Sequence, residues 1–181
     1  MLSKYVVVMV RGHFFALDCF DENGQRLSPC DLEDQLTIIM KQAKSLPDPG
    51  LMGRVTVLTG GDRDVWAEAR SQLMHDRVSA ASLEKIERAA FVLALDDEGP
   101  EVGPPDASQE CPVANSLIHG NGANRWFDKS FTLVVGANGK SGLNVEHSWG
   151  DAPVSAHMME WALAEEFMGP GSVLLARRRK K

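Results

Sequence analysis

The stretch Arg125-Trp126-Phe127-Asp128-Lys129-Ser130-Phe131-Thr132-Leu133-Val134-Val135-Gly136-Ala137-Asn138-Gly139-Lys140-Ser141-Gly142-Leu143-Asn144-Val145-Glu146-His147-Ser148-Trp149-Gly150-Asp151 decides the fold class. Residues 131–136 and 141–147 read as strands, and Ala137-Asn138-Gly139-Lys140 between them reads as a hairpin turn, because Asn-Gly accepts positive φ cheaply. His147 then stands at the end of a strand, with Asp151 four residues on, across a turn. A carboxylate so placed can fix the tautomer of an imidazole and favour the imidazolium that forms, which is what a general base needs. Taken alone, this spacing fits a satisfied structural histidine as well. Glu146 adjoins the base, points to the opposite face of the strand and supports it.

Working outward, residues 5–10 and 14–20 read as two strands joined by Arg11-Gly12-His13, and Asp21-Glu22-Asn23-Gly24 as a turn. The short apolar run Val6-Val7-Val8-Met9-Val10, stopped by Arg11-Gly12, is a buried strand rather than a membrane span or signal peptide. Ser28-Pro29-Cys30-Asp31 is a helix start: Ser28 caps, Pro29 suits the first position, and Asp31 complements the dipole. Leu32, Leu36, Ile39, Met40 and Ala43 follow at helical spacing, and Pro47-Asp48-Pro49-Gly50 ends that helix. A second helix is expected over 62–74, and a third over 79–90 with Ser79 or Ser82 as cap. A short strand follows over 91–95. Residues 96–115 read as a loop, and 153–167 as a last helix in which His157 and Trp161 share a core-facing side. The order predicts an α/β (mixed α+β) fold, a mixed sheet with flanking helices, in one domain over 1–168 followed by a basic tail over 169–181.

The chain has 181 residues, 44% hydrophobic and 24% charged, as expected of a globular domain. A net charge of −6 argues against nucleic acid as partner. Arg177-Arg178-Arg179-Lys180-Lys181 reads first as a solvated tail, with a membrane-surface or targeting role as the alternative. Cys19, Cys30 and Cys111 are odd in number and widely spaced, which points to a reducing, intracellular compartment. The five histidines have no zinc-binding spacing, so no metal is expected.

Arg125-Trp126-Phe127-Asp128-Lys129-Ser130, followed by a short hairpin and Glu146-His147-Ser148-Trp149-Gly150-Asp151-Ala152-Pro153, resembles the signature of the choline/carnitine acyltransferase family. Arg11-Gly12-His13-Phe14-Phe15 resembles the family's RGxxF pattern. Leu58-Thr59-Gly60-Gly61-Asp62-Arg63-Asp64-Val65-Trp66-Ala67 resembles its LTxGDRxxWA segment, and Ser116-Leu117-Ile118-His119-Gly120 its SLLHG segment. The form of the histidine turn is most similar to carnitine palmitoyltransferases of the mitochondrial outer-membrane type, with Gly150 in place of the usual Ala. The resemblance runs from about Ser3 to Glu160 and is absent from Phe167 onward.

The resemblance implies part of a chloramphenicol-acetyltransferase-like domain and transfer of a long acyl group between coenzyme A and carnitine in fatty-acid metabolism. The coenzyme A thioester is a substrate, and no bound cofactor is expected. It implies His147 as catalytic base and Asp151 as its partner. It invites a substrate-binding role for Arg125, Trp126, Asp128, Ser148 and Trp66. A support role stands beside it: an Arg–Asp pair and a packed indole under the hairpin. For Trp66, on a helix started by Asp62, structure is favoured. Family members are longer, and their Ser-Thr-Ser oxyanion segment and basic coenzyme A residues lie further downstream. A truncated, inactive remnant or an acyl-CoA/carnitine-binding module is therefore the alternative expectation. Exposed sheet edges would favour self-association or pairing with a missing second half. The location implied is the mitochondrial outer membrane or the cytoplasm, with no membrane span in this chain.

Overall fold

The run Tyr5-Val6-Val7-Val8-Met9-Val10 has no polar face, so as a strand it must be covered on both sides. In the computed structural model, which describes residues 3–99, 112–118, 120 and 122–168, this run forms β1 (Tyr5–Val10) inside a five-stranded mixed sheet. β2 (His13–Asp18) pairs antiparallel with it, and Val10 faces His13. Arg11 and Gly12 alone make the turn, at φ 54° and 74°, the positive values that a tight hairpin turn of this twist demands. β3 (Val92–Asp96) runs parallel to β1 with Val7 beside Val92, and β4 (Phe131–Gly136) runs parallel to β3 with Leu93 beside Leu133. β5 (Ser141–Val145) returns antiparallel to β4, through a turn in which Gly139 has φ 78°. The strand order is β2-β1-β3-β4-β5.

Helices cover both faces, so the fold is of the α/β class with a mixed sheet. α1 (Pro29–Ser45) starts with the expected capping box: Asp31 N–H donates to Ser28 Oγ, and the Asp31 carboxylate accepts the Ser28 N–H. Its Ile39 and Ala43 pack with Val6, Val8, Val10, Leu17 and Leu93. On the other face, α3 (Arg63–Leu73) and α4 (Arg77–Arg88) bring Trp66, Leu83 and Ile86 against Val7, Met9, Val92 and Trp126. Each such side chain contributes about 1.5–3 kcal/mol by leaving water. α3 is capped by Asp62, which accepts the Asp64 and Val65 N–H groups.

Several local features differ from the pattern expected of the sequence. α4 begins two residues earlier than expected, and its cap is Asp76 rather than Ser79 or Ser82. The Asp76 carboxylate accepts the Ser79 N–H at 2.8 Å, while the Ser82 hydroxyl bonds back to Val78 O at 2.9 Å. A 3₁₀ turn (Gly50–Arg54) and the one-turn α2 (Val55–Leu58) precede α3. They carry no apolar period because their buried residues include Thr56 and Thr59, satisfied by hydrogen bonds. The end of the expected loop over 96–115 is instead helical: α5 (Pro112–Ile118) uses proline at its first position. Residues 100–111 of that loop and the tail over 169–181 lie outside the described residues. β5 stops at Val145, two residues short of His147. α6 (Ala152–Met168) is the last helix, and its His157 and Trp161, expected in a core, are exposed. The chain divides into two compact units between Val145 and Glu146. Among the described residues no helix is long and apolar enough to cross a membrane.

The caps carry a pH dependence. The Ser28 hydroxyl and N–H hold the Asp31 carboxyl below its ordinary range, and the Ser79 N–H and hydroxyl do the same for Asp76. Because both values are depressed in the folded state, the stabilisation is complete above the unfolded value of about 3.9 and is lost as pH falls through the lower folded values. The double variant Asp31→Asn/Asp76→Asn should therefore lose less urea stability than the parent between about pH 5 and pH 2. Parallel stability curves for the two proteins would contradict this.

Candidate functional site

The segment before β4 is fixed from below by a buried charge. Arg125 is fully buried, and its guanidinium donates from Nη1 to Asp96 Oδ1 at 3.0 Å and from Nη2 to Asp96 Oδ2 at 2.8 Å. The same two nitrogens donate to Asn124 O and Ser116 O, each at 2.9 Å. Asp96 ends β3, so one bidentate pair joins a strand end, the entry to β4 and α5. Asn124 reinforces it by donating to Leu95 O at 3.1 Å and Asp96 Oδ1 at 2.7 Å.

The next residues continue the pattern. Trp126 meets Trp66 and Phe14 edge-on, each with ring centroids 5.9 Å apart, a favoured aromatic arrangement. The Asp128 carboxylate accepts the Trp66 indole N–H at 2.8 Å and the Arg63 guanidinium at 2.7 Å. Phe127 N–H donates to the Thr59 hydroxyl at 2.9 Å. Lys129 donates to Ile86 O at 3.2 Å and Glu87 O at 2.6 Å, capping α4, and burial pushes its pKa down while the Glu87 charge opposes the shift. Trp126, Trp66 and Asp128 thus form one contact network within the part of the chain up to Val145, and Arg125, next to Trp126 in the chain, adds the pair with Asp96. Asp96, absent from the sequence reading, is its anchor. The signal available in the sequence was an acid closing a short apolar strand. The carboxyl ends of β1 and β3 also border a cavity of about 590 Å³ lined by Arg11, Arg54, Asp96, Asp97 and Asn124 among others.

The part from Glu146 onward holds the histidine turn. His147 Nε2 lies 3.3 Å from Asp151 Oδ1, and the two side chains are 81% and 79% exposed. Asp151 immediately precedes α6, and its carbonyl accepts the Val154 N–H at 2.9 Å, which fixes the carboxylate's backbone at the helix start. A histidine paired in this way can exchange a proton at its other ring nitrogen. Glu146, expected on the far face of a strand, instead lies in the turn, where its carboxylate accepts from Ser148 N–H and from the Ser148 hydroxyl. Among the described residues, no group of three or more His, Cys, Asp or Glu could hold a metal ion.

The network makes a stability prediction. Asp128→Ala strands the indole N–H of Trp66, which is 2% exposed, and should cost roughly 1–3 kcal/mol in urea denaturation. Asp128→Asn, which keeps an acceptor oxygen, should cost less. Equal stability of Asp128→Ala and the parent would contradict the role given to the carboxylate.

The sequence model of the choline/carnitine O-acyltransferase family matches residues 2–180, so the similarity continues past Phe167, where the motifs alone show none. The muscle isoform of carnitine O-palmitoyltransferase 1 from Homo sapiens is 43% identical over 164 residues, covering 91% of this chain and 21% of that protein. The liver isoform from Homo sapiens is also 43% identical over 164 residues, covering 90% of this chain and 21% of that protein. Mitochondrial carnitine O-palmitoyltransferase 2 from Rattus norvegicus is 34% identical over 149 residues, covering 82% of this chain and 21% of that protein. The chain thus spans about a fifth of the length of the curated relatives it matches. With its motif segments folded as one hairpin and one histidine turn, and with the family match running almost end to end, the chain belongs to the choline/carnitine O-acyltransferase family.

Proposed function

We propose that this chain carries the general base of a carnitine O-acyltransferase of the long-chain, palmitoyltransferase type, moving an acyl group between acyl-CoA and carnitine in fatty-acid metabolism. The observation that carries the reading is the approach of His147 Nε2 to Asp151 Oδ1, 3.3 Å, in a member of this family. His147 takes the proton from the carnitine hydroxyl as the oxygen attacks the thioester carbonyl. The tetrahedral adduct collapses, the C–S bond breaks, and the imidazolium returns its proton to the departing coenzyme A sulfur. In reverse, the same ring takes the thiol proton. Asp151 orients the ring and offsets its positive charge in both directions. Coenzyme A enters as a substrate thioester, so the step uses no group beyond the two reactants and the ring.

Trp66, Arg125, Trp126 and Asp128 serve as support for the hairpin, through the Trp66–Asp128, Arg125–Asp96 and Trp66–Trp126 contacts. The similarity to mitochondrial carnitine O-palmitoyltransferase 2 supports a mitochondrial setting. A second reading, an acyl-CoA- or carnitine-binding module without turnover that pairs with further polypeptide, is favoured by one observation: both members of the His147–Asp151 pair are about four-fifths exposed. A base working against water needs cover.

The test follows free thiol released when the chain is mixed with palmitoyl-CoA and carnitine. A general base accounts for about 10²–10⁴-fold in rate, so His147→Ala should lower release by that factor. Release unchanged by His147→Ala would overturn the assignment of the base. Saturable binding of either substrate by calorimetry, without release in the parent chain, would favour the binding module.

A further inference from the structure

His147 has little packing around it to choose its rotamer, since its side chain is 81% exposed. Its direction must come from polar contacts and from the backbone it stands on. Asp151 supplies the first. The second lies in the residues on either side. β5 ends at Val145, so no ladder pairing extends to Glu146. The Glu146 side chain runs along the chain past His147, and each carboxylate oxygen is 3.1 Å from the Ser148 nitrogen; the Ser148 hydroxyl donates to the same carboxylate.

We infer that Glu146 is a positioning residue for His147: by tying the residue before the base to the residue after it, its carboxylate fixes the backbone from which the imidazole reaches Asp151. This rests on the reading of His147 as the base. The contacts are charge-assisted, which makes them stronger than neutral ones and suited to an exposed turn. The geometry also redirects Ser148. Its hydroxyl and its N–H are both committed to Glu146, so Ser148 acts as the other half of the brace rather than as a group awaiting substrate. The turn is therefore held twice, by Glu146 to Ser148 across the base and by His147 to Asp151 along the start of α6.

The test is nuclear magnetic resonance of the ¹⁵N-labelled chain at about pH 8, above the unperturbed imidazole value of about 6.5. In the parent, the Ser148 amide proton should resonate downfield, as a carboxylate-bonded N–H does, and the His147 ring nitrogens should show one favoured tautomer. Glu146→Ala should move the Ser148 amide upfield and shift the ring nitrogens toward the averaged values of free imidazole. Glu146→Gln, which keeps length and an acceptor oxygen, should restore most of both shifts, and the amides of β4 and β5 should stay in place in both variants. The inference is overturned if the ring signals of Glu146→Ala stay at parental positions, if Glu146→Gln restores nothing, or if Glu146→Ala scatters the β4–β5 amides. Failure of the base reading is separate: it appears as undiminished thiol release by His147→Ala, whatever the ring signals do.

Discussion

Arg125 takes a full positive charge to a place where its side chain keeps one per cent of its exposure. Removing such an ion from water costs several kcal/mol unless a well-aligned counter-charge replaces the lost hydration. Asp96 does so in bidentate fashion, and two backbone carbonyls accept from the same guanidinium nitrogens. The pair ties together pieces that are distant in sequence: the end of β3, the entry to β4 and the α5 segment. Those pieces cannot drift apart without exposing one charge or burying the other unpaired. That constraint sets where β4 begins, and β4 in turn sets the register of β5.

Around that anchor the remaining contacts are of ordinary kinds. Apolar packing fills both faces of β1, because its residues alternate between the α1 side and the α3–α4 side. Trp126 carries the anchor into one of those cores through its edge contacts with Trp66 and Phe14. Asp128 then satisfies the polar end of Trp66, so the four residues 125–128 join a buried charge, a core aromatic and a partner for a second aromatic. The histidine turn differs in character. It is exposed, polar and held by short-range contacts, with Glu146 and Ser148 bracing the backbone and Asp151 facing the ring.

What could be read from the sequence follows from the range of the forces involved. Asn138-Gly139, Ser28-Pro29 and the apolar run of β1 declare themselves because turn chemistry, capping and two-sided burial act within a few residues. The His147–Asp151 spacing is visible for the same reason. Asp96 was hidden because its partner is 29 residues away, and its own neighbourhood of acids and glycines reads as loop. The same composition concealed α5, which begins at Pro112. Asp76, not Ser79 or Ser82, caps α4, and its carboxylate accepts from Ser79. Glu146 was misplaced by extending β5 through 147. The strand propensity of Val145 gave no sign of where the ladder stops, and that point is set by the start of β4 at Phe131, opposite Val145.

The dependence of the scaffold on the Arg125–Asp96 pair is open to a double-mutant cycle of unfolding free energies with Arg125→Met, Asp96→Leu and the double variant. Each single change leaves a charge buried without its partner and should cost about 3–5 kcal/mol. If the pair is the anchor described here, the double variant is more stable than the sum of the single losses by at least about 1 kcal/mol. Additivity within about 0.5 kcal/mol, as for residues that do not interact, would contradict it.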